Sequence, residues 1–404
     1  MGDSLEQSRY CGHGGDYCYL YYVAFAAFCF WRTISYINID QFAIIYVDDL
    51  VTVAKLVMLL GLVSKLLLQR YDLKSLILMG FCLLVLLLSS QTSLSKQLLW
   101  FFLFVCAAQG VKIKMLARIC LWFYVVALIV GVSGWFVGEI EAIEALRFDS
   151  EGIRSSLGFR HPNSFGYIAM TVCFSLLVLR FPDLRMRDFL LTAGIAVAVN
   201  VVAGSRTSFI AIILGIIVAA VYGHFCKTER ARKLFAVSSA SVLIMLFAVS
   251  LALMVCYDPE NEVFVGLNRL LSSRLSYASY YFHNYSLSLF GSNIPQNLLM
   301  NTTDATVGFV VDNAFCNLCL RYGIVPAVLF VGTWVGIYIK AFMSGYRGPC
   351  ILALTLWIVV AFAESTVLTF VSNFGFVAAV SLLYGYPLAS LDGERAAGQK
   401  PQGL

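Results

Sequence analysis

Arginines set in short polar turns are the residues of this 404-residue chain best suited to do chemistry. Three such runs stand between apolar stretches. They are RSSLGFRHPNSFG from Arg154 to Gly166, GSRTS from Gly204 to Ser208, and LSSRLSY from Leu271 to Tyr277. A guanidinium stays charged when water is withdrawn and meets phosphate with two parallel N–H donors. Arg154, Arg160, Arg206 and Arg274 together could therefore hold a phosphorylated ligand. Taken singly, each has a plainer role, snorkelling at a helix end or pairing with Glu139, Glu141, Glu144 or Asp149. As a set in turn-like text they favour binding.

Other polar residues refine this picture. His161-Pro162-Asn163-Ser164 reads as a helix start, with Pro162 in the first turn and Asn163 or Ser164 as cap. Its free N–H groups would add partial positive charge where an anion could sit, and His161 beside them is either a cap or a catalytic group. In GSRTS, Gly204 permits an unusual backbone angle, and Ser205, Thr207 and Ser208 can cap the next helix. Asp312-Asn313 opens VDNAFCNLCLRYGIVPAVLF, where Asp312 could be a base, orient an arginine or cap a helix, with Arg321 nine residues on. Cys316-x-x-Cys319 has zinc-like spacing, but a structural zinc needs four ligands and its surroundings are apolar. Cys11, His13, Asp16 and Cys18 form a similarly weak pattern, so no metal is expected. Lys55 sits within an apolar run and can snorkel towards Asp48 and Asp49. Glu364 falls near a loop, and Glu139-x-Glu141 reads as solvated loop charge.

The elements that must position these groups follow from composition. Hydrophobic residues make up 60% of the chain, charged residues 13%, and the mean hydropathy is +0.83. A soluble domain carries about 25% charged residues, so this chain cannot cover a globule with polar surface. Collagen, coiled coil, disordered tail and disulfide-rich mini-protein are excluded too. The 12 cysteines are scattered through apolar runs and read as small hydrophobes. A net charge of +5 is too small to suggest nucleic acid.

Crossing a bilayer takes about 20 mainly apolar residues. Twelve such segments recur, near Tyr17–Tyr36, Leu50–Leu68, Leu73–Ser90, Lys96–Gly110, Met115–Gly138, Ser164–Phe181, Asp188–Ala203, Thr207–Gly223, Leu234–Cys256, Tyr322–Lys340, Cys350–Ala363 and Asn373–Leu388. The third, fourth, seventh and eleventh are short. With the N-terminus cytoplasmic, inner loops collect eighteen Lys and Arg against nine outside. The expected fold is an all-α polytopic integral membrane protein of about 12 transmembrane helices. Residues 1–16 and 389–404 are then cytoplasmic tails flanking a bundle over 17–388. The polar text at 1–16 does not read as a cleavable signal. Two large outer loops, 139–163 and 257–321, are the places where function concentrates. The second holds amphipathic helical text, LNRLLSSRLSYASYYFHNYSLSLFG, expected to lie on or just above the bilayer. No internal repeat is apparent, which argues against inverted-repeat transporters.

Four strings in this order carry a resemblance: GFRHPNSFGYIAM, AGSRTSFIAIILG, LSSRLSYASYYFHNYSLSLFGSN and VDNAFCNLCLRYGIVPAVLF. The chain resembles the O-antigen and capsule or exopolysaccharide polymerases (Wzy-type) of the wider O-antigen ligase and polymerase superfamily. The resemblance covers about Arg154 to Tyr322 and the overall span pattern. It implies a multi-pass bacterial inner-membrane enzyme that moves a growing glycan from polyprenyl (undecaprenyl) diphosphate onto an incoming lipid-linked repeat at the outer face. It also implies no metal or other cofactor, with Arg154 or Arg160, Arg206 and Arg274 meeting the departing diphosphate. Asn163, Ser205, Thr207, Asn313 and Arg321 would support them. Donor and acceptor oligosaccharide lipids, the bilayer, a flippase and a chain-length regulator are the implied partners. Ligases of the superfamily usually carry His-Asn where this chain has Asp312-Asn313, which points towards a polymerase. The general base is Asp312, His161 or His283, in that order. A ligase and a lipid-linked oligosaccharide transporter are the alternatives; a transporter should carry its charges at the bilayer midplane.

Overall fold

The computed structural model describes residues 17–39, 47–146, 153–285, 287–295, 298–301 and 306–392. The tails over 1–16 and 393–404, with Cys11, His13 and Asp16, and Asp149 of the first long loop lie outside these. Among the described residues the architecture is all-α apart from two small hairpins. Helices are the expected answer to such a composition, because a helix satisfies its backbone N–H and C=O groups within its own segment.

In chain order the helices are α1 (Cys18–Ile34), α2 (Val47–Leu68), α3 (Leu73–Ser93), α4 (Gln97–Ala107), α5 (Ile113–Phe136), α6 (Pro162–Arg180), α7 (Met186–Ala203), α8 (Arg206–His224) and α9 (Glu229–Cys256). The remainder are α10 (Glu262–Leu270), α11 (Arg274–Tyr285), α12 (Ala314–Asn317), α13 (Ile324–Ser344), α14 (Pro349–Ala363) and α15 (Val380–Leu383). Eight of them, α2, α3, α5 to α9 and α13, are long and apolar enough to cross a membrane. The expected third and seventh segments thus extend to full length. The fourth and eleventh stay short, as 11 and 15 residues.

Burial separates the centre from the rim. In α6, 78% of the apolar window is buried, against 17% in α3 and 22% in α9. A helix apolar all round and covered all round is a core helix, and His161 is the residue that caps the start of α6. The rim helices present Leu, Val and Ile outward, as Leu60, Leu67 and Ile77 do, which suits hydrocarbon.

The expected twelfth helix is broken instead. Residues Ser365–Leu368 and Phe374–Ala379 are 3₁₀ turns leading into the single turn of α15. This stretch is buried among aromatics, with Phe370 stacked on Phe104 at 4.9 Å and Phe376 edge-on to Phe101 at 5.0 Å. Its hydropathy reads as a span, but Ser372, Asn373 and Gly375 interrupt the helix. Irregular backbone is tolerated at membrane depth only where protein surrounds it. Gln97 Nε2 accordingly donates to Thr369 Oγ1 at 2.9 Å, and the Tyr167 and Ser372 hydroxyls share a bond of 2.6 Å.

The two long loops carry more structure than loop text suggests. The first holds an antiparallel pair, β1 (Glu144–Leu146) with β2 (Ile153–Ser155). The second holds the expected short helices α10 and α11, then β3 (Leu298–Asn301) paired with β4 (Thr306–Phe309). Lys55 does not reach for Asp48 or Asp49 but lies 4.7 Å over the Trp31 ring.

The second loop is pinned where it crosses the start of α13. Ser292 N donates to Arg321 O at 3.0 Å, and Ile324 N donates to Ser288 O at 3.0 Å. Gly291 and Gly323 face each other there with φ of +88° and +97°. A methyl on Gly291 would fall on the Arg321 carbonyl, and one on Gly323 would fall on the Gly291 amide. Gly323→Ala should therefore cost about 2 kcal/mol or more and lower the melting temperature of the detergent-purified protein. Gly80→Ala, in open space within α3, should leave it unchanged or raise it, since alanine is favoured over glycine in a helix. Equal effects would contradict the crossing.

Candidate functional site

Three chain segments far apart in sequence converge on one guanidinium. Arg274 opens α11, and its Nε donates to Asp312 Oδ2 at 3.1 Å, Nη1 to Thr207 Oγ1 at 3.0 Å, and Nη2 to Glu364 Oε1 at 2.7 Å. The Arg274 side chain is only 12% exposed, Glu364 21% and Asp312 32%. One cation shared between two carboxylates in so closed a place is a built arrangement. Removing Arg274 would leave both carboxylates without their cation, at a cost of about 3–5 kcal/mol.

Each member is held by its own local chemistry. Asn313 caps α12, its Oδ1 accepting from Phe315 N at 2.9 Å and Cys316 N at 3.1 Å, while its Nδ2 donates to Ser250 of α9 at 2.9 Å. Asn317 Nδ2 holds the Val311 carbonyl at 3.0 Å. Asp312 is thus fixed from both sides by an asparagine cap and a backbone clamp. Asn268 closes the entry to α11, exchanging bonds of 3.2 and 3.1 Å with Ser276. Ser272 and Ser273, immediately before Arg274, both take left-handed φ values of +53° and +65°. Neither residue favours that region, so the turn stores strain next to the central cation. Glu364 follows the last residue of α14, its N–H bonded back to Val360 O at 2.7 Å.

The turn before α8 supplies Thr207 and joins the neighbouring elements. Gly204 is left-handed, at φ +59°, and ends α7. The Arg154 stem lies against it, 2.9 Å from where a Cβ on Gly204 would stand. Ser205 does not cap α8; it is buried, bonds Ser208 at 3.1 Å, and sits against Gly166 of α6. Arg206 is exposed as the first residue of α8.

His161 stands at the mouth of this cluster. It caps α6 itself, where the sequence suggested Asn163 or Ser164: its Nδ1 accepts from Asn163 N at 3.1 Å. That bond occupies the Nδ1 lone pair and leaves the neutral ring's proton on Nε2, so His161 is a donor rather than a base. Desolvation and then Arg154 draw its pKa below the ordinary value, with Asp312 pulling the other way. These influences place Arg154 and Asp312 each within electrostatic reach of His161.

The other expected site residues stand elsewhere. Arg160 donates from its backbone to Tyr36 O at 2.9 Å and from Nε to Ile37 O at 3.4 Å, tying the end of α1 to the entry of α6. Arg321 belongs to the glycine crossing and lies 5.8 Å from the Tyr322 ring centre. His283 is nine residues beyond Arg274, roughly 13 Å along the helix axis, and its Nδ1 pairs with Ser279 O at 2.8 Å. Among the described residues no group of His, Cys, Asp and Glu could hold a metal.

Glu364 is the residue sequence reasoning passed over. Burial pushes its carboxyl up to about 7, with Arg274 pulling it down and Asp312 pushing it up further. Burial works against the charge of Arg274, but Glu364 and Asp312 overcome it and raise its pKa. The site can therefore hold or release one proton near neutrality while its cation stays fixed. A carboxyl raised on folding stabilises most below its unfolded value and loses that contribution as pH climbs through its folded value. The melting temperature should then fall between about pH 4.5 and about pH 7, and Glu364→Gln should flatten this slope. An unchanged slope would contradict the burial of this carboxyl.

Compared with known proteins, the chain matches no family model, no curated protein and no solved structure.

Proposed function

We propose that the chain is a membrane glycosyltransferase that polymerises polyprenyl-diphosphate-linked oligosaccharide repeats at the outer face of the bacterial cell membrane. In this reading twelve segments cross the bilayer and both tails are cytoplasmic. The observation that carries the proposal is the closed cluster of Arg274, Asp312, Glu364 and Thr207 with His161 and Arg154 at its mouth. Carboxylates able to accept a proton lie beside arginines able to meet phosphate, at one end of an apolar bundle.

The roles divide differently from the first expectation. Two carboxylates already match Arg274, so it acts as the fixed post that aims them. Arg154 and Arg206, with Arg160 on the rim, supply guanidinium groups to the diphosphate. The acceptor hydroxyl attacks the anomeric carbon of the donor sugar, the bond from that carbon to the diphosphate oxygen breaks, and the hydroxyl proton passes to Asp312. Stabilising the leaving diphosphate with preorganised donors in a poorly solvated site lowers the barrier, and Asp312 needs only to be within reach of the hydroxyl. An apolar groove of about 340 Å³ between α3, α4 and α13, lined by Leu78, Phe101, Val105 and Phe330 among others, suits an isoprenoid tail.

The broken, buried stretch from Ser365 to Leu383 favours a second reading, transport of a lipid-linked oligosaccharide, because broken helices are where transporters hold cargo. Ligase activity shares the proposed site and differs in its acceptor. Purified protein given a lipid-linked repeat should yield a ladder of products. Arg206→Ala and Arg154→Ala should each reduce ladder formation by about 100-fold, and Arg274→Lys should fail because one ammonium cannot bridge two carboxylates and a threonine. A full-length ladder from Arg206→Ala would sink the diphosphate assignment. Movement of the repeat across vesicles without any ladder would favour transport.

A further inference from the structure

A second arginine is half-buried in the bundle, with no carboxylate partner among the described residues. Arg32 lies in the last turn of α1. Its Nη2 donates to Tyr36 Oη at 2.8 Å, and its Cζ lies 5.2 Å from that ring centre. Tyr167 and Tyr124 are within its electrostatic reach. Its Nε is buried with no acceptor, and no ion pair among the described residues includes it. The tyrosines are themselves closed in: Tyr124 is 0% and Tyr167 5% exposed. Their hydroxyls are 3.2 Å apart, and Tyr167 also meets Ser372 at 2.6 Å.

A charge held this way is costly unless something opposite joins it. The end of α1 offers only the partial charge of a helix terminus, about half of one unit. The tyrosine ring faces add a weaker attraction. Neither supplies an acceptor to Nε. Ionisable side chains at such positions mark ligand sites by default. A guanidinium beside tyrosine hydroxyls at the end of a bundle helix fits a tetrahedral oxyanion better than a flat carboxylate.

We infer that Arg32, with the hydroxyls of Tyr36 and Tyr167, forms a binding site for a phosphate group, distinct from the Arg274 cluster and independent of the function proposed above. The phosphate belongs either to a lipid headgroup or to a free ion. The site is wired to the rim of the first cluster. The Tyr36 carbonyl accepts from Arg160 N at 2.9 Å, and Asn38 N donates to Gly158 O at 2.9 Å. Tyr167 lies six residues below His161 on α6, about 9 Å along the axis.

The test is thermal unfolding of the full chain in uncharged detergent at constant ionic strength. One arm titrates inorganic phosphate against chloride; the other raises phosphatidylglycerol against phosphatidylcholine in mixed micelles. A saturable rise in melting temperature is expected in at least one arm, and that arm names the source. Arg32→Gln should weaken the midpoint by about tenfold or more, and Tyr36→Phe by about threefold. No saturable response in either arm, or a response that Arg32→Gln leaves unaltered, overturns the site. Should Arg32→Gln fail to fold, Tyr36→Phe decides: an unshifted midpoint overturns the inference.

Discussion

Two carboxylates gripping one arginine, in a chain with little water to offer them, is the constraint around which this end of the molecule is arranged. Coulomb attraction across about 3 Å is strong where the dielectric is low, but only if every partner is present and aligned. Arg274 comes from the second long loop, Asp312 from that loop's return, Glu364 from the end of α14 and Thr207 from the turn before α8. Hydrophobic matching to a bilayer cannot specify such a meeting, because lipid is as apolar as the helix surfaces that pack within it. Polar bonds do so here. Asn313 to Ser250, Asn268 to Ser276 and Ser205 against Gly166 each fix one approach to the cluster.

The same economy governs the interior. Where the backbone leaves the helical path after Glu364, protein replaces lipid on every side, and Gln97, Tyr167 and Ser372 meet its polar groups. Asn373 is buried with neither of its side-chain polar atoms bonded among the described residues. An unsatisfied amide at that depth is costly, and this stretch carries one. It begins directly beside Glu364, which joins the proton-holding end of the bundle to its irregular centre.

Much of this was legible in residue order. Runs of twenty apolar residues admit almost no fold but spanning helices, and eight of the twelve expected segments form helices long and apolar enough to cross a membrane. Arg154, His161, Thr207, Arg274 and Asp312 were picked out by type and turn context, and they do gather. Glu364 was not, because a lone acid after an apolar helix looks like ordinary end charge; its partner lies 90 residues away. One carboxylate between two apolar segments was the available signal. The break at Ser372-Asn373 was hidden by the phenylalanines around it, which keep the hydropathy high. Among the described residues no bond ties His283 or Arg321 to Arg274: His283 pairs with Ser279 within α11, and the Arg321 carbonyl is held at the glycine crossing.

The site depends on Arg274 binding Asp312 and Glu364 as one unit, and a double-mutant cycle in thermal stability tests that most directly. Arg274→Gln, Glu364→Gln and their combination, each compared with the parent in the same detergent, report the coupling. Groups joined in one buried network should be strongly non-additive, by about 1 kcal/mol or more, with the double variant less damaged than the two single losses added together. Losses that simply add would show that the guanidinium and the carboxylate do not meet, and the site would dissolve with them.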